Sequence, residues 1–232
     1  MKPSNRQRTA PSTLRGVATL TLASLTWAFG VAQASAMEDG VEANHYRPAK
    51  PAIVSVSKIF TLEQSGEAPT SGASTITRTD AGVGFEYVAS DLKPNAPYTM
   101  WYVVFNRPRK CIMPFECGID DLNDPRVRPG VFWAGGRVSD EYGQAMFAGE
   151  INYGELPKGE DQIPFPGLES PIKRGAEIHL VVRAHGPALD DPAALKEQLT
   201  QFNGGCPPND GCIDVQASVH PSPFARKKYR LH

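Results

Sequence analysis

The sequence lacks the short motifs that identify many enzymes. It contains no Gly-x-Ser-x-Gly turn for a nucleophilic serine, and no glycine-rich phosphate loop follows a strand-like segment. It also lacks surplus positive charge, since 24 Lys and Arg residues stand against 25 Asp and Glu residues. Binding to nucleic acid depends on dense cationic side chains, so nucleic acid is not an expected partner. No cofactor is expected either.

Long apolar runs are scarce, and the one near the start of the chain is interrupted by threonine and serine. A cationic segment free of acids precedes the run at residues 16–32, and Ala34-Ser35-Ala36 follows it. This order is typical of a cleavable secretory signal. The run falls short of the ~20 residues that a membrane-spanning helix needs. We therefore expect cleavage after Ala36, no transmembrane anchor thereafter, and a secreted or periplasmic location.

The signal sets the expected organisation of the chain. Residues 1–36 are the signal peptide, 37–50 a flexible polar leader, 51–221 one β-sandwich domain and 222–232 a basic disordered tail. Because the first 36 residues hold four cations and no acid, their removal changes the formal charge from −1 to −5. The expected partner of this mildly acidic domain is an unknown extracytoplasmic ligand or protein.

Short runs rich in β-branched and aromatic residues dominate the rest of the chain. Gly, Pro, Asn and Asp separate them, as is typical of all-β sandwiches. The predicted strands are residues 52–62, 73–79, 84–89, 98–106, 130–138, 144–152, 176–185 and 213–220.

One segment, near residues 192–203, instead predicts a short helix. Asp191 is placed to cap its N-terminus, Pro192 stands in the first turn, and Gly204-Gly205 ends it. An apolar stripe at helical spacing is expected to pack on the sheet. The stripe consists of Leu195, Leu199 and Phe202.

Residues 98–105 are apolar on both faces, which predicts a central strand covered on both sides. The segment at residues 92–98 resembles the tyrosine corner of fibronectin type III and immunoglobulin-like sandwiches, in which a tyrosine hydroxyl bonds to the upstream backbone. The alternative use of these aromatic side chains is a ligand groove formed by Tyr98, Trp101, Tyr102, Phe132 and Trp133.

The four cysteines fall into two pairs of equal spacing, Cys111 with Cys117 and Cys206 with Cys212. Disulfides are the usual state of cysteines in exported proteins. Four cysteines permit three connectivities. Two local bridges are favoured because each pair brackets turn-forming residues. A zinc site of four thiolates is the rival, but paired zinc ligands usually stand closer together in sequence.

The strand predicted at residues 176–185 has one apolar face and one face with His179, Arg183 and His185. These three residues, with His220 on the polar face of the last strand, are the candidate binding residues. About 20 Å of straight strand separates the first two histidines, so no shared metal site is expected from them. A metal-binding protein or metal-dependent enzyme using His179, His185 or His220 is the alternative.

Residues 184–187, Ala-His-Gly-Pro, resemble the His-x-His-Gly-Pro signature of chordin-type domains, which are small extracellular β modules. Arg183 stands where that signature has its first histidine. The chain is also similar to secreted bacterial β-sandwich proteins of unknown function. The resemblance implies an immunoglobulin-like or chordin-like β-sandwich with one short helix.

The preferred function is an exported, noncatalytic binding or structural module of unknown ligand. Two alternatives stay open at this point. One is the metal protein built on the histidines, and the other is a glycan-binding or glycan-active protein built on exposed aromatic side chains.

Overall fold

The computed structural model describes residues 50–63, 66–155, 167–169, 175–206 and 211–225. Within them the all-β prediction with one short helix is confirmed. The predicted signal peptide, nearly all of the predicted leader and the last seven residues of the predicted tail lie outside the described residues. The strands are β1 Ile53–Glu63, β2 Gly66–Arg78, β3 Gly82–Ala89, β4 Pro97–Phe105, β5 Pro129–Val138, β6 Ala145–Asn152, β7 Glu177–Ala184 and β8 Ile213–His220.

Helix α1 spans Pro192–Thr200, and two short 3-10 helices span Pro108–Lys110 and Ile119–Asn123. Asp191 caps α1 as predicted, accepting hydrogen bonds from the backbone amides of Ala193 and Ala194. The helix ends three residues before the predicted boundary at 203. In the described part of the chain, no helix has the length and apolar character to cross a membrane.

The eight strands form one antiparallel sheet in the order β5-β4-β7-β8-β1-β2-β3-β6. The sheet curls until its two end strands lie beside each other. A β-carbon placed on Gly149 of β6 would stand 3.4 Å from the Ala134 carbonyl oxygen of β5. No ladder joins β5 to β6 among the described residues. The sheet is therefore nearly closed, and we call the line between these two strands the seam.

The hydrophobic core fills the interior of the curled sheet. Phe85 of β3 and Tyr102 of β4 meet edge to face there, with ring centroids 5.0 Å apart. These strands are distant in the strand order, so their contact shows that opposite walls of the sheet pack on each other. Side chains from two facing walls thus share one core, as in a sandwich.

The central strand β4 is covered on both sides, as its sequence predicts. Its inward residues belong to the core, and its outward Trp101 is 1% exposed because Phe202 packs on it. The outward Phe105 lies in a second apolar cluster with Cys111, Cys117 and Val127. The tyrosine corner is present, since the Lys93 amide donates to the Tyr98 hydroxyl at 2.9 Å.

The outer surface of the sheet differs between its two halves. The covered half is β5, β4 and β7, whose outer face lies beneath helix α1 and the disulfide-bonded segment at residues 107–128. The bare half is β1, β2, β3 and β6, whose outer face carries exposed apolar side chains. The largest of these are Val54, Val56, Val88 and Met146.

Strand β2 begins seven residues before its predicted start at residue 73. This early part has little hydrophobic signal, and it forms a strand because it pairs with β1. Its Pro69 is tolerated because β3 pairs with β2 only from Ala73 onward, which leaves this part of β2 at an edge of the sheet.

Candidate functional site

Helix α1 is fixed to the end of β7 by one buried side chain, Gln198. Its Nε2 donates to the carbonyl oxygens of His185 at 2.9 Å and Pro187 at 2.8 Å. Its Oε1 accepts from the Leu189 amide at 3.0 Å. All three of these hydrogen bonds are directed at the turn that leads from β7 to the helix. This turn contains the His-Gly-Pro sequence of the chordin-type resemblance.

Arg183, a candidate binding residue, holds the segment that follows the helix. Its Nε donates to the Phe202 carbonyl oxygen at 2.8 Å, and its Nη1 lies 2.6 Å from Asp214 Oδ1. The guanidinium also stacks over the Phe202 ring, 3.8 Å from the centroid. This array of partners uses the planar fork of arginine, which lysine does not provide. The protein's own loop thus engages the side chain of Arg183.

His185 is buried at the same end of β7. Its Nδ1 lies 2.9 Å from the Gly204 carbonyl oxygen, and its Nε2 lies 2.7 Å from Thr99 Oγ1. A carbonyl oxygen only accepts, so the hydrogen-bond network assigns the ring proton to Nδ1. Thr99 then donates to Nε2 and accepts from the indole N–H of Trp101. Burial lowers the pKa of His185, which favours the neutral ring.

His179 is the predicted histidine that keeps some contact with solvent, its side chain being 15% exposed. Its Nε2 lies 3.0 Å from Oε1 of the buried Glu177. The same oxygen accepts from the Cys117 amide at 2.9 Å, and the imidazole packs edge to face against Phe105. The Glu177 and His179 pair therefore joins β7 to the first disulfide segment.

His220 points into the interior of the sheet and is fully buried. Its Nε2 lies 2.8 Å from Ser74 Oγ, and its Nδ1 lies 3.2 Å from Ser55 Oγ. Burial, and to a smaller extent the charges of Arg78 and His179, lower the pKa of His220 to about 4. The polar face predicted for β8 is thus an internal face. Its polar groups bond to Ser55 of β1, Ser74 of β2 and the carbonyl oxygen of Ser90.

The four candidate binding residues do not form one site. His179, Arg183 and His185 lie on the outer face of β7, and His220 lies on the inner face of β8. Within the described residues, two groups have three ligand atoms close enough for one metal ion, and neither contains two histidines. The groups are His185 with Cys206 and Cys212, and Cys111 with Cys117 and Asp121.

Both local disulfides are present, as the sequence predicts. Cys111 is bonded to Cys117, and Cys206 is bonded to Cys212, each pair being six positions apart. The first disulfide packs in the apolar cluster of Phe105 and the second lies against His185. Each bridge fixes one of the segments that cover the outer face of β4 and β7.

A groove of about 490 Å³ lies on the outer surface where helix α1 meets the seam. We call it the helix groove. It is lined by residues 133–137 of β5, Ala148 of β6 and one side of α1. Leu195 and Leu199 supply an apolar wall, and the half-buried Trp133 forms part of the floor.

Two cations stand at the helix groove, Arg137 from β5 and Lys196 from α1. Both are exposed, and no carboxylate occurs among its lining residues. The groove depends on Gly136, because a β-carbon there would overlap the Leu199 carbonyl oxygen at the end of α1. The Trp133 indole N–H donates to the same carbonyl at 3.0 Å, which fixes the tryptophan ring against the helix.

A second depression, of about 530 Å³, lies on the bare half beyond Ala148. Gly84 and Gly149 leave room in its floor, and Glu86 and Glu150 are its charged residues. These glutamates stand on neighbouring strands, two residues out of register. The two depressions therefore lie side by side and have opposite charge.

Comparison with known proteins finds no matching family model, no matching curated protein and no matching solved structure. The chordin-type resemblance therefore stays a prediction. Of the aromatic residues proposed for a ligand groove, Trp101 is buried, and Trp133 lines the helix groove. Sequence reasoning missed Arg137 and Lys196, whose elements meet only in the folded chain. The Gly135-Gly136 pair inside a predicted strand was the available signal, since such glycines mark close backbone approach.

Proposed function

We propose that this protein is an exported, noncatalytic binding module that holds a small apolar anion in the helix groove. One observation supports the proposal most strongly. The half-buried Trp133, two leucine side chains and two cations converge on a groove whose lining contains no acid. Ligand sites are typically concave and apolar, with a few polar groups that fix orientation.

The ligand that fits this chemistry has an aromatic or aliphatic body and one acidic group, such as a carboxylate or sulfonate. The body contacts Trp133, Leu195 and Leu199, while the acidic group faces Arg137 and Lys196. Burial of apolar surface supplies most of the affinity, and each exposed ion pair adds about 0.5 kcal/mol. Binding is therefore weak, with a Kd on the order of 0.1 to 1 mM.

The noncatalytic part of the proposal rests on the titratable groups of the groove. Arg137 and Lys196 are its titratable lining residues in the described chain. A guanidinium and an ammonium group donate hydrogen bonds and accept none, so neither side chain serves there as a general base. The groove's lining supplies no histidine, cysteine or carboxylate that would activate a nucleophile.

The exported part of the proposal rests on the secretory signal predicted for residues 1–36 and on the two disulfides. Disulfides form and persist in oxidising compartments such as a periplasm or the extracellular medium.

The test uses two fluorescent probes of similar size. Anilinonaphthalenesulfonate (ANS) is an apolar anion, and N-phenylnaphthylamine is its uncharged analogue. The double variant Arg137→Gln with Lys196→Gln is expected to raise the Kd of ANS about fivefold, which corresponds to two exposed ion pairs. Its affinity for the uncharged probe is expected to stay unchanged.

Lys58→Gln is the matched control, because Lys58 is an exposed cation on the outer face of the bare half. The proposal predicts no change in ANS affinity for this variant. It is contradicted if Lys58→Gln weakens ANS binding as much as the double variant does. It is also contradicted if the double variant loses affinity equally for both probes.

A further inference from the structure

A separate cluster lies at the outer end of β7, where His185 meets the second disulfide. His185 Nδ1 stands 3.1 Å from Cys212 Sγ and 3.8 Å from Cys206 Sγ. The three side chains come from two segments that the fold brings together, since His185 follows β7 and Cys212 precedes β8. One nitrogen and two sulfurs are thus close enough together to bind a single metal ion.

The imidazole is held in the orientation that a metal ligand requires. Its Nδ1 faces the sulfurs, while Nε2 is fixed by Thr99 Oγ1, which Trp101 fixes in turn. Histidines that bind metals almost always use their second nitrogen to contact a polar group, and this contact sets the ring orientation. Thr99, buried on β4, supplies such a contact here.

We propose that reduction of the Cys206–Cys212 disulfide converts this cluster into a binding site for a thiophilic divalent cation such as Zn²⁺. The ligands are His185 Nδ1 and the two thiolates, with water as the fourth ligand. Two thiolates on one zinc ion lie roughly 3.8 Å apart, given Zn–S bonds of ~2.3 Å and tetrahedral angles. The ligand atoms already lie within 4.8 Å of one another, so small shifts form the site.

The chemistry balances with a dithiol as the reductant. The dithiol transfers two electrons and two protons to the protein disulfide, giving two cysteine thiols and one disulfide in the reductant. Metal binding then displaces the two thiol protons. The imidazole loses its proton from Nδ1 and takes one up on Nε2, which donates to Thr99 Oγ1. The ring stays neutral throughout.

The two disulfides differ in their access to a reductant. Cys206 is half-buried, whereas Cys111 and Cys117 are both buried in the apolar cluster of Phe105. The first disulfide also lacks a histidine, and its neighbour Asp121 uses both carboxylate oxygens to accept backbone amides. Thiolate and imidazole together bind zinc and cobalt well, so the second disulfide is the favoured site.

Cobalt(II) is the probe that tests this proposal. The full-length protein is reduced with dithiothreitol, desalted without oxygen and titrated with Co²⁺. We expect one ion per chain, with a thiolate-to-cobalt charge-transfer absorption in the near ultraviolet. The oxidised protein is expected to show no such absorption. A reduced protein that gives no charge-transfer absorption overturns the proposal.

Paired variants locate the site. Cys206→Ser with Cys212→Ser is expected to abolish the charge-transfer absorption, and Cys111→Ser with Cys117→Ser is the matched control that retains it. His185→Ala is expected to weaken Co²⁺ binding at least tenfold. Absorption that is lost in the Cys111 and Cys117 variant, and kept in the other, places the metal elsewhere and contradicts the proposal.

Thr99→Val keeps the test independent of large structural changes, because valine preserves the shape of threonine and removes its hydroxyl. The affinity of the reduced protein for Co²⁺ is expected to fall about tenfold. Circular dichroism of the oxidised variant checks that the fold is intact. An unchanged Co²⁺ affinity in both Thr99→Val and His185→Ala would show that His185 is not a ligand.

Discussion

The covered and bare halves of the sheet bury their side chains in opposite ways. In the covered half, β4 is apolar on both faces, and helix α1 and the first disulfide segment shield its outer face. In the bare half, Val54 and Val56 of β1 are 60% and 72% exposed. An apolar side chain on the outer face is therefore expected to contribute much to stability in the covered half and little in the bare half.

The interior of the sheet also differs between the two halves, but there the bare half has the more polar side chains. Beneath β4 it is apolar, whereas beneath β1 and β2 it contains the buried Ser74, Arg78 and His220 and the half-buried Ser55. Burial lowers the pKa of Arg78 to about 10 and that of His220 to about 4. Polar groups buried in this way are tolerated because they bond to each other. The bare half thus has its apolar residues outside and much of its polar chemistry inside.

The largest expected effect is a difference in stability between a variant of the covered half and a variant of the bare half. Trp101→Ala should lower the free energy of unfolding by about 3 to 5 kcal/mol, because it leaves a cavity between β4 and Phe202. Val56→Ala on the bare half should change it by less than about 0.5 kcal/mol. Urea denaturation of both variants measures the difference. Equal losses would show that a partner or another part of the chain covers the bare face.

The next effect tests the polar interior through pH. A histidine whose pKa is about 4 when folded and about 6.5 when unfolded takes up its proton preferentially in the unfolded state. The stability it supports is present above pH ~6.5 and is lost as the pH falls towards 4, by up to about 3 kcal/mol. His185, whose pKa burial also lowers, contributes in the same direction.

His220→Gln provides the comparison, because glutamine still bonds to serine hydroxyls and does not titrate. Unfolding free energies of the variant should fall less steeply than those of the wild type between pH 6.5 and 4. Carboxylates titrate equally in both proteins and cancel in the difference. Parallel curves would mean that His220 does not titrate differently in the folded and unfolded states.

A third effect compares the two disulfides, which close loops of equal length. Loss of either bridge should cost about 2 kcal/mol by loop-closure entropy. Replacing Cys111 and Cys117 by alanine should cost more, since both pack against Phe105 and Val127 in the covered half. Chemical denaturation of the two double variants decides whether packing adds to entropy.

The smallest expected effect is a gain of stability. The Tyr102 hydroxyl is buried in the core, and no described residue forms a hydrogen bond with it. Its burial raises the tyrosine pKa and leaves a donor unsatisfied. Tyr102→Phe should therefore stabilise the protein by about 1 kcal/mol, whereas Tyr98→Phe, which breaks the bond to Lys93, should destabilise it. A loss in Tyr102→Phe would reveal a water partner.

Much of the fold could be predicted from local sequence patterns. All eight strands have the predicted order along the chain, because β-branched and aromatic runs between turn residues are a local signal. Both disulfides and the helix cap at Asp191 also depend on short-range features. The early start of β2 was not predicted because it depends on pairing with β1.

The candidate site was harder to predict from the sequence than the fold. A period of two shows that Gln216, Ser218 and His220 share a face, but it does not show that this face points inward. Gln198, a polar residue three positions after Leu195 on the face of the expected stripe, is buried because the turn after β7 offers it three backbone partners. The helix groove forms because β5 and β6 meet at the seam. That meeting depends on the order of the strands in the sheet, which the sequence pattern of single strands does not indicate.

The most direct test of the helix groove uses a two-dimensional amide NMR spectrum of the protein, titrated with ANS. Binding in the helix groove predicts that the largest shifts occur at the Trp133 indole N–H and at the Gly135 and Gly136 amides. The amides of Val54 and Val56 on the bare half should stay in place, although their side chains are the more exposed apolar groups. Shifts confined to the bare half would contradict binding in the helix groove.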